Sequence, residues 1–359
     1  MKIYVFGTRG FPGVQGGVEK HCECLYPELS EAYEIVVFRR KAYLPKQRQA
    51  SFKGIRFIDL PSTRIKGFES FWHSLLCTLV CLIKRPQLVH IHNTGPGMFI
   101  PLLKLFGLKV LLTYHSVNHE HEKWGCLARR ILKLSERIAT KGADMIVFVN
   151  PTRMAGFSEE IRRKAVYIPN GIHPQARTED TDYLSALGLQ AGQYILTVGR
   201  FTQEKGWAYL VEAYLQSGVS IPLVLAGGID HATHYVKQIL QKTAGHPNIL
   251  MPGYVEGERL RQLYSHARLF VLPSYSEGFP LVLLEAMNYR LPILASDIEA
   301  NKLLPLHWSH YFKAGDRDDL ARHLSDELNK PAHLPVYDLS SYTWEDIAQK
   351  VNRLFNIFA

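Results

Sequence analysis

The chain has 359 residues, 47% hydrophobic and 21% charged, which excludes a disordered or fibrous protein and gives length for about two domains. Its net charge of +9 is unevenly placed: residues 1–175 carry 26 Lys and Arg against 13 Asp and Glu, a net +13, and the remainder nets −4. The basic half suits an anionic membrane surface or a pyrophosphate-linked acceptor, with a merely solvated surface as the plain alternative; nucleic acid is not expected, because no aromatic–basic interleaving accompanies the charge.

The first strand, Ile3–Phe6, begins almost at Met1, which argues against a signal peptide. The five cysteines are odd in number and lack zinc-type pairing, as reduced thiols of a cytoplasmic protein would. A loop with five glycines follows, Gly7, Gly10, Gly13, Gly16 and Gly17. Glycine lets a backbone approach phosphate closely. A dinucleotide fold would want G-x-G-x-x-G and an acid about 20 residues on, and neither is present. The second strand, Glu34–Phe38, ends in Arg39-Arg40, which an NADP-linked oxidoreductase could use for a 2′-phosphate.

Residues Phe68–Lys84 form an apolar helical stretch flanked by Arg64, Lys66, Lys84 and Arg85. It is short for a membrane span of about 20 residues and carries Glu69 and His73. A buried core helix is preferred to an interfacial one. Strand Leu88–His92 puts His90 and His92 on one face as core or cleft residues. Strand Val110–Tyr114 leads into His115. His119, Glu120, His121 and Glu122 lack metalloenzyme spacing such as H-E-x-x-H, so no metal site is expected. A helix from about Trp124 to Lys141 has apolar residues at Trp124, Leu127, Ile131, Leu134 and Ile138 and a separate basic stripe of Arg130, Lys133, Arg137 and Lys141. Strands Met145–Val149 and Val166–Ile168 close this half. A polar linker without periodicity runs from Asn170 to Asp180.

The second half repeats the alternation with strands Tyr194–Val198, Pro222–Ala226, Asn248–Met251, Leu269–Leu272 and Pro292–Ala295. Apolar runs separated by helices predict parallel sheets covered on both faces, in two doubly wound domains. The first of these strands opens into Gly199-Arg200 and, five residues later, Lys205-Gly206. Two cations beside a turn suit a diphosphate leaving group. Leu269–Leu272 is followed by Glu277, by Pro280 near a helix's first turn, and by Glu285 inside that helix. The two acids are no more than about 12 Å apart along a helix axis, with free N–H groups between them for phosphates. Asp180-Thr181-Asp182 and Asp316-Arg317-Asp318 spell the Asp-x-Asp of metal-dependent transferases, yet no apolar strand precedes either, and both are taken as coincidence.

The glutamate pair resembles the Glu-x7-Glu motif of retaining glycosyltransferases with the GT-B fold, family 4 in particular. Gly199-Arg200…Lys205-Gly206 is similar to that family's second-domain motif, and the loop ending in Gly16-Gly17 to its first-domain motif. The resemblance implies an α/β fold of two Rossmann-like domains facing across a cleft. Residues 1–172 would form the acceptor side, with helix 343–359 packing back onto it, and residues 173–342 would bind the nucleotide sugar. The donor would be a nucleoside-diphosphate sugar, with no metal or cofactor. By resemblance, Glu277 and His115 orient the sugar and Glu285 the ribose. Arg200, Lys205 and the backbone at Gly278 and Phe279 hold the diphosphate; Gly16 and Gly17 lie under the phosphates; Gly199 and Val255 line the nucleotide. Ala295-Ser296-Asp297-Ile298 is similar to members that build cell-surface polysaccharides, including rhamnosyl- and galactosyltransferases, but the pattern departs at Glu299 and Leu303-Leu304. The implied acceptor is a saccharide or lipid-linked saccharide at the inner face of the plasma membrane. A nucleotide-sugar epimerase or phosphorylase of the same fold is the nearest alternative, and the NADP-linked oxidoreductase is more distant.

Overall fold

The computed structural model describes residues 1–44, 48–63, 65, 68–116, 125–229 and 233–359. Arg64, Lys66, His119, Glu120, His121, Glu122 and Trp124, and the side chain of Leu127, lie outside the described set. The chain divides into two compact units, Met1–Gly171 with Tyr342–Ala359, and Ile172–Ser341.

The first unit holds strands β1 (Lys2–Phe6), β2 (Glu34–Arg40), β3 (Ser51–Phe52), β4 (Ile55–Leu60), β5 (Leu88–His92), β6 (Val110–Tyr114), β7 (Met145–Phe148) and β8 (Ala165–Tyr167). Its helices are α1 (Gly17–Leu25), α2 (Phe68–Lys84), α3 (Ile100–Leu105), α4 (Cys126–Gly142), α5 (Pro151–Ala155) and α6 (Glu159–Arg162), and the chain's last helix belongs with them. The sheet order is β3-β4-β2-β1-β5-β6-β7-β8, parallel except for the β3–β4 pair. Residues of β1, β2, β5 and β6 are buried almost throughout, which explains why these strands read as unbroken apolar runs. The chain order reverses between β1 and β5. In open α/β sheets, ligands bind at the carboxyl ends of the strands flanking such a switch.

The second unit holds α7 (Asp182–Ala186), β9 (Ile195–Val198), α8 (Trp207–Ser217), β10 (Leu223–Ala226), α9 (His234–Thr243), β11 (Ile249–Gly253), α10 (Gly257–His266), β12 (Leu269–Leu272), α11 (Leu281–Asn288), β13 (Ile293–Ser296), β14 (Tyr311–Phe312) and α12 (Arg317–Leu328). Its sheet order is β11-β10-β9-β12-β13-β14, with the switch between β9 and β12. Trp207 and Phe201 meet edge to face at 4.2 Å beneath that switch, in a core with Leu210, Leu225, Val271 and Leu320.

The last helix, α13 (Trp344–Ile357), is capped by Thr343, whose hydroxyl accepts from the Asp346 amide. It packs within the first unit. Tyr33 donates to Asn352 and lies 2.8 Å from Asn356, and Trp344 stands edge-on to His21 at 5.3 Å.

Several sequence expectations are corrected. Helix α2 is not a buried core helix: it buries His73, Ser74, Cys77, Thr78 and Cys81 and exposes Phe68, Phe71, Trp72, Leu79 and Ile83. Small and polar side chains make up its fully buried face, with Val80 and Leu82 partly buried against the core. Helix α4 does the same, burying Ser135, Ala139 and Thr140 while Ile131 and Leu134 are exposed. The polar linker, read as aperiodic, forms no helix or strand; Gln175 bonds Asn288 and Tyr289, and Ser265 accepts from the Thr178 amide. Pro280 stands at the N-cap of α11, next to the first turn where it was expected. Arg39 is spent on Asp59 at 2.7 Å and on the face of Phe57. Arg40 is buried beside Ser70 and Glu69. Neither is poised for a 2′-phosphate. Strands β3, β4 and β14 were not expected.

Candidate functional site

At the second unit's switch, the turns after β9 and β12 are bound together. The Tyr275 amide donates to the Glu204 carbonyl at 2.8 Å. Gly206 has φ +68°, and a Cβ there would collide with the Pro273 carbonyl, so only glycine lets the turns approach this closely. The approach brings Lys205 Nζ to 2.6 Å from Glu277 Oε1, with side chains 15% and 11% exposed. Ser274 donates to the same oxygen at 2.6 Å. Beneath it, Ser296 donates to the Ser274 carbonyl at 2.5 Å and Asn301 to the Ser296 carbonyl at 2.9 Å. A carboxylate this sheltered is stable because a cation and a hydroxyl share it.

Arg200 and Gly199 follow β9, with the Gly199 amide bound to the Ala226 carbonyl at 3.0 Å. A Cβ on Gly227 would strike the Gly199 carbonyl, so Gly227 sets how deep this loop lies. Val255 is buried just past β11. Gly278 and Phe279 precede α11, with Phe279 buried. Glu285, partly exposed on α11, accepts from Tyr264 at 2.8 Å. Tyr264 stacks on Tyr289 at 5.3 Å and 4°. Burial, then the Glu285 charge, pushes the Tyr264 phenol well up, so it stays a donor to that carboxylate.

At the first unit's switch the glycine loop is braced by Glu19, from the first turn of α1. Its Oε1 accepts from Thr8 Oγ1 at 3.2 Å and from the Arg9 amide at 2.9 Å. A Cβ on Gly16, whose φ is +154°, would collide with the same carboxylate, whereas a Cβ on Gly17 meets nothing within 4 Å. Beside this loop runs a chain of buried polar side chains. Thr113 Oγ1 lies 2.7 Å from His90 Nε2. His90 Nδ1 is 2.9 Å from the Tyr26 hydroxyl, which is 2.5 Å from His92 Nε2. His92 Nδ1 is 2.8 Å from His115 Nε2. His21 stands edge-on to His115 at 4.8 Å, with Nδ1 on Asn170 Oδ1 at 2.7 Å and Nε2 buried without a partner. Burial dominates all four imidazoles: His21 is lowered to about 4, His90 to about 3, and His92 and His115 well below their usual range. All four are neutral at pH 7.

Nitrogens of His21, His92 and His115 lie within 4.8 Å of one another, the one such potential metal-ligand group among the described residues. One proton is shared between His92 and His115, so as arranged the trio offers two lone pairs rather than the three a zinc site would draw on. The Asp-x-Asp candidates are helix starts: Asp316 caps α12, and Asp182 begins α7.

Two family patterns tile this chain: "Glycosyltransferase Family 4" over residues 15–176 and "Glycosyl transferases group 1" over residues 186–336. The chain belongs to the group 1, family 4 glycosyltransferases. Its two parallel-sheet units are those of the GT-B fold. Sucrose-phosphate synthase of Thermosynechococcus elongatus has a TM-score of 0.82 at 23% identity, covering 99% of this chain and 98% of its own. Anabaena HepE in complex with UDP and glucose has a TM-score of 0.80 at 15% identity, covering 99% of each chain. In sequence, the alpha-galactosylglucosyldiacylglycerol synthase of Streptococcus pneumoniae is 31% identical over 210 residues, 53% of each protein. The chain spans about half the length of the curated relatives it matches. Both matched patterns are of glycosyltransferases, and neither is of an NADP-linked oxidoreductase.

Of the residues singled out in the sequence, Lys205 and Glu277 are in contact; Gly199, Arg200, Val255, Gly278 and Phe279 lie on loops after β9, β11 and β12, and Glu285 lies inside α11. Gly16, Gly17 and His115 belong to the first unit. Sequence reasoning missed Ser274, Gly227 and Asn301 in the second unit and Glu19 and Tyr26 in the first. Only Glu19 carried a signal, as the acid two residues after the double glycine.

Proposed function

We propose that the protein is a retaining, metal-independent glycosyltransferase that moves a sugar from a nucleoside-diphosphate sugar to a saccharide or lipid-linked saccharide. The observation that carries this reading is the Lys205–Glu277 pair. Two motifs 72 residues apart meet at the switch between β9 and β12, where open α/β sheets bind ligands. Lys205 and Arg200 would balance the charge that grows on the diphosphate as the glycosidic bond breaks. Glu277 would accept from sugar hydroxyls and Glu285 from ribose hydroxyls. The backbone at Gly278 and Phe279 would face the phosphates. On the acceptor side, Gly16 and Gly17 would lie under the phosphates, and His115 would orient the sugar. A departing phosphate oxygen would take the acceptor's proton on the face the leaving group vacates, so the anomeric configuration is kept. HepE in its UDP and glucose complex is consistent with such a donor.

Thermal unfolding with UDP, GDP, dTDP, ADP and NADPH, on wild type and Glu285→Gln, tests the donor class. A ligand at about 100 times its Kd adds roughly 2.7 kcal/mol. Stabilisation by one nucleoside diphosphate, lost in Glu285→Gln, supports the reading; stabilisation by NADPH alone defeats it. The anomeric configuration of the product, read by NMR with and without EDTA, tests retention and metal independence.

We further propose peripheral contact with an anionic membrane through the first unit. No helix among the described residues is long and apolar enough to cross a membrane. Helices α2, α3 and α4 nevertheless expose Phe71, Trp72, Ile83, Leu105, Ile131 and Leu134, among exposed Lys84, Arg85, Arg130 and Lys133. Aromatic and aliphatic side chains ringed by cations fit a headgroup boundary. Flotation with anionic liposomes should show binding that weakens with salt and with Trp72→Ser. Absence of any salt-sensitive binding would remove this surface from the reading.

A further inference from the structure

The histidine chain of the first unit has more order in it than a buried polar cluster requires. A neutral imidazole has one N–H and one lone pair, and a phenol has one proton. Along Thr113, His90, Tyr26, His92 and His115, fixing the direction of one hydrogen bond therefore fixes every other. Two orders exist. In the first, Thr113 donates to His90 Nε2, His90 Nδ1–H to Tyr26, Tyr26 to His92 Nε2, and His92 Nδ1–H to His115 Nε2. His115 then carries its own proton on Nδ1. In the second, every bond is reversed, and His115 Nδ1 is a bare acceptor.

The far end chooses between them. In the first order the Thr113 hydroxyl has its acceptor in His90. In the second it receives a proton from His90 and its own proton needs another acceptor; among the described residues the Thr113 hydroxyl bonds His90 alone. Thr113 is buried, where an unmatched donor is costly. The rings are also held against rotation: His90 and His92 meet tilted at 4.5 Å, His92 and His115 stack at 5.1 Å, and Phe355 is edge-on to His90.

We propose that Tyr26 and His90, set by Thr113, are positioning residues that hold His115 as its Nδ1–H tautomer, so that it presents a neutral hydrogen-bond donor to an oxygen of the donor substrate. The placing of His115 against substrate rests on the function proposed above; the tautomer does not. Such a donor binds a hydroxyl or phosphoryl oxygen without bringing a charge into the site, and burial keeps it from becoming an imidazolium.

The test is nitrogen NMR of the full chain labelled with 15N-histidine, His115 being assigned with His115→Gln. Wild type should show His115 protonated on Nδ1 in a single state. Tyr26→Phe cuts the chain next to His92 and should give mixed tautomers, with kcat/KM lowered about tenfold, the size of one hydrogen bond. Thr113→Val should mix the tautomers and Thr113→Ser should restore the single state, a pair that decides the matter if Tyr26→Phe does not fold. An Nε2–H tautomer in wild type, or an unchanged Nδ1–H in both Tyr26→Phe and Thr113→Val, overturns the proposal. Unchanged kinetics in His115→Gln would instead remove the substrate from it, together with the role assigned to His115.

Discussion

The two units place a glycine-rich turn at the same topological point and surround it with opposite chemistry. At the β9–β12 switch a lysine and a glutamate share a hydrogen bond, and Arg200 follows β9. At the β1–β5 switch stand four imidazoles that burial keeps uncharged. The fold therefore specifies where a ligand goes, and the side chains on the loops specify what kind it is. Paired charges suit a diphosphate whose charge grows during reaction. Neutral, hydrogen-bonded rings suit hydroxyl groups.

The largest expected effect breaks the charged half. Lys205→Ala removes the cation proposed to balance the leaving group and leaves Glu277 with Ser274. Steady-state kinetics should show kcat falling by about 10²–10³, as for loss of one transition-state donor. Arg200→Ala should mainly lower turnover, with donor KM nearly kept. Equal kinetics for wild type and both variants would sink the site assignment.

Acid should break the neutral half instead. His21, His73, His90, His92 and His115 are the buried histidines among the described residues, and all belong to the first unit. Each has a folded pKa below the unfolded value of about 6.5. Below that value the unfolded chain binds more protons, so stability is complete above about pH 6.5 and falls as pH drops towards 3–4. Each histidine removes up to about 1.4 kcal/mol per pH unit. Denaturant titrations between pH 7 and 5 should show this loss, and hydrogen exchange should place it first in β1, β5 and β6. A loss beginning in β9 and β12 would contradict the contrast drawn here.

A smaller effect sharpens the charged half. Glu285→Gln keeps the side chain's shape and a group to meet Tyr264, but removes the charge. Calorimetry should show nucleoside-diphosphate affinity lowered about tenfold, the worth of one charge-assisted hydrogen bond. Tyr264→Phe should lower it by less, because Glu285 loses its orienting partner but not its charge.

What the sequence disclosed follows the same division. The buried parallel strands were legible because continuous apolar runs have few other uses. Strand β4, next to the short edge strand β3, was not, because Arg56 and Asp59 interrupt its apolar run, and Asp59 holds Arg39. Helix α2 was misread as a buried core helix because its inward face is made largely of small or polar residues while several bulky apolar ones are exposed. Lys205 and Glu277 were legible one by one, but their contact depends on Gly206 and Pro273 meeting across two turns. The histidine chain was hidden for the same reason: Tyr26 comes from α1, Thr113 from β6, and spacing along the chain does not reveal their meeting.

The finest distinction is between adjacent glycines. Gly16 is demanded by the protein itself, since its φ of +154° and the Glu19 carboxylate leave no place for a Cβ. Gly16→Ala should therefore lower the unfolding temperature. Gly17 opens α1, and a Cβ there meets nothing within 4 Å. Alanine is also the better helix former, so Gly17→Ala should leave thermal stability unchanged or slightly raised. If Gly17 lies under the donor's phosphates, that methyl group meets the ligand alone, and donor KM should rise several-fold with the fold intact. An unchanged KM would mean that the second glycine is there for the helix start, and that of the pair only Gly16, through Glu19, shapes the loop.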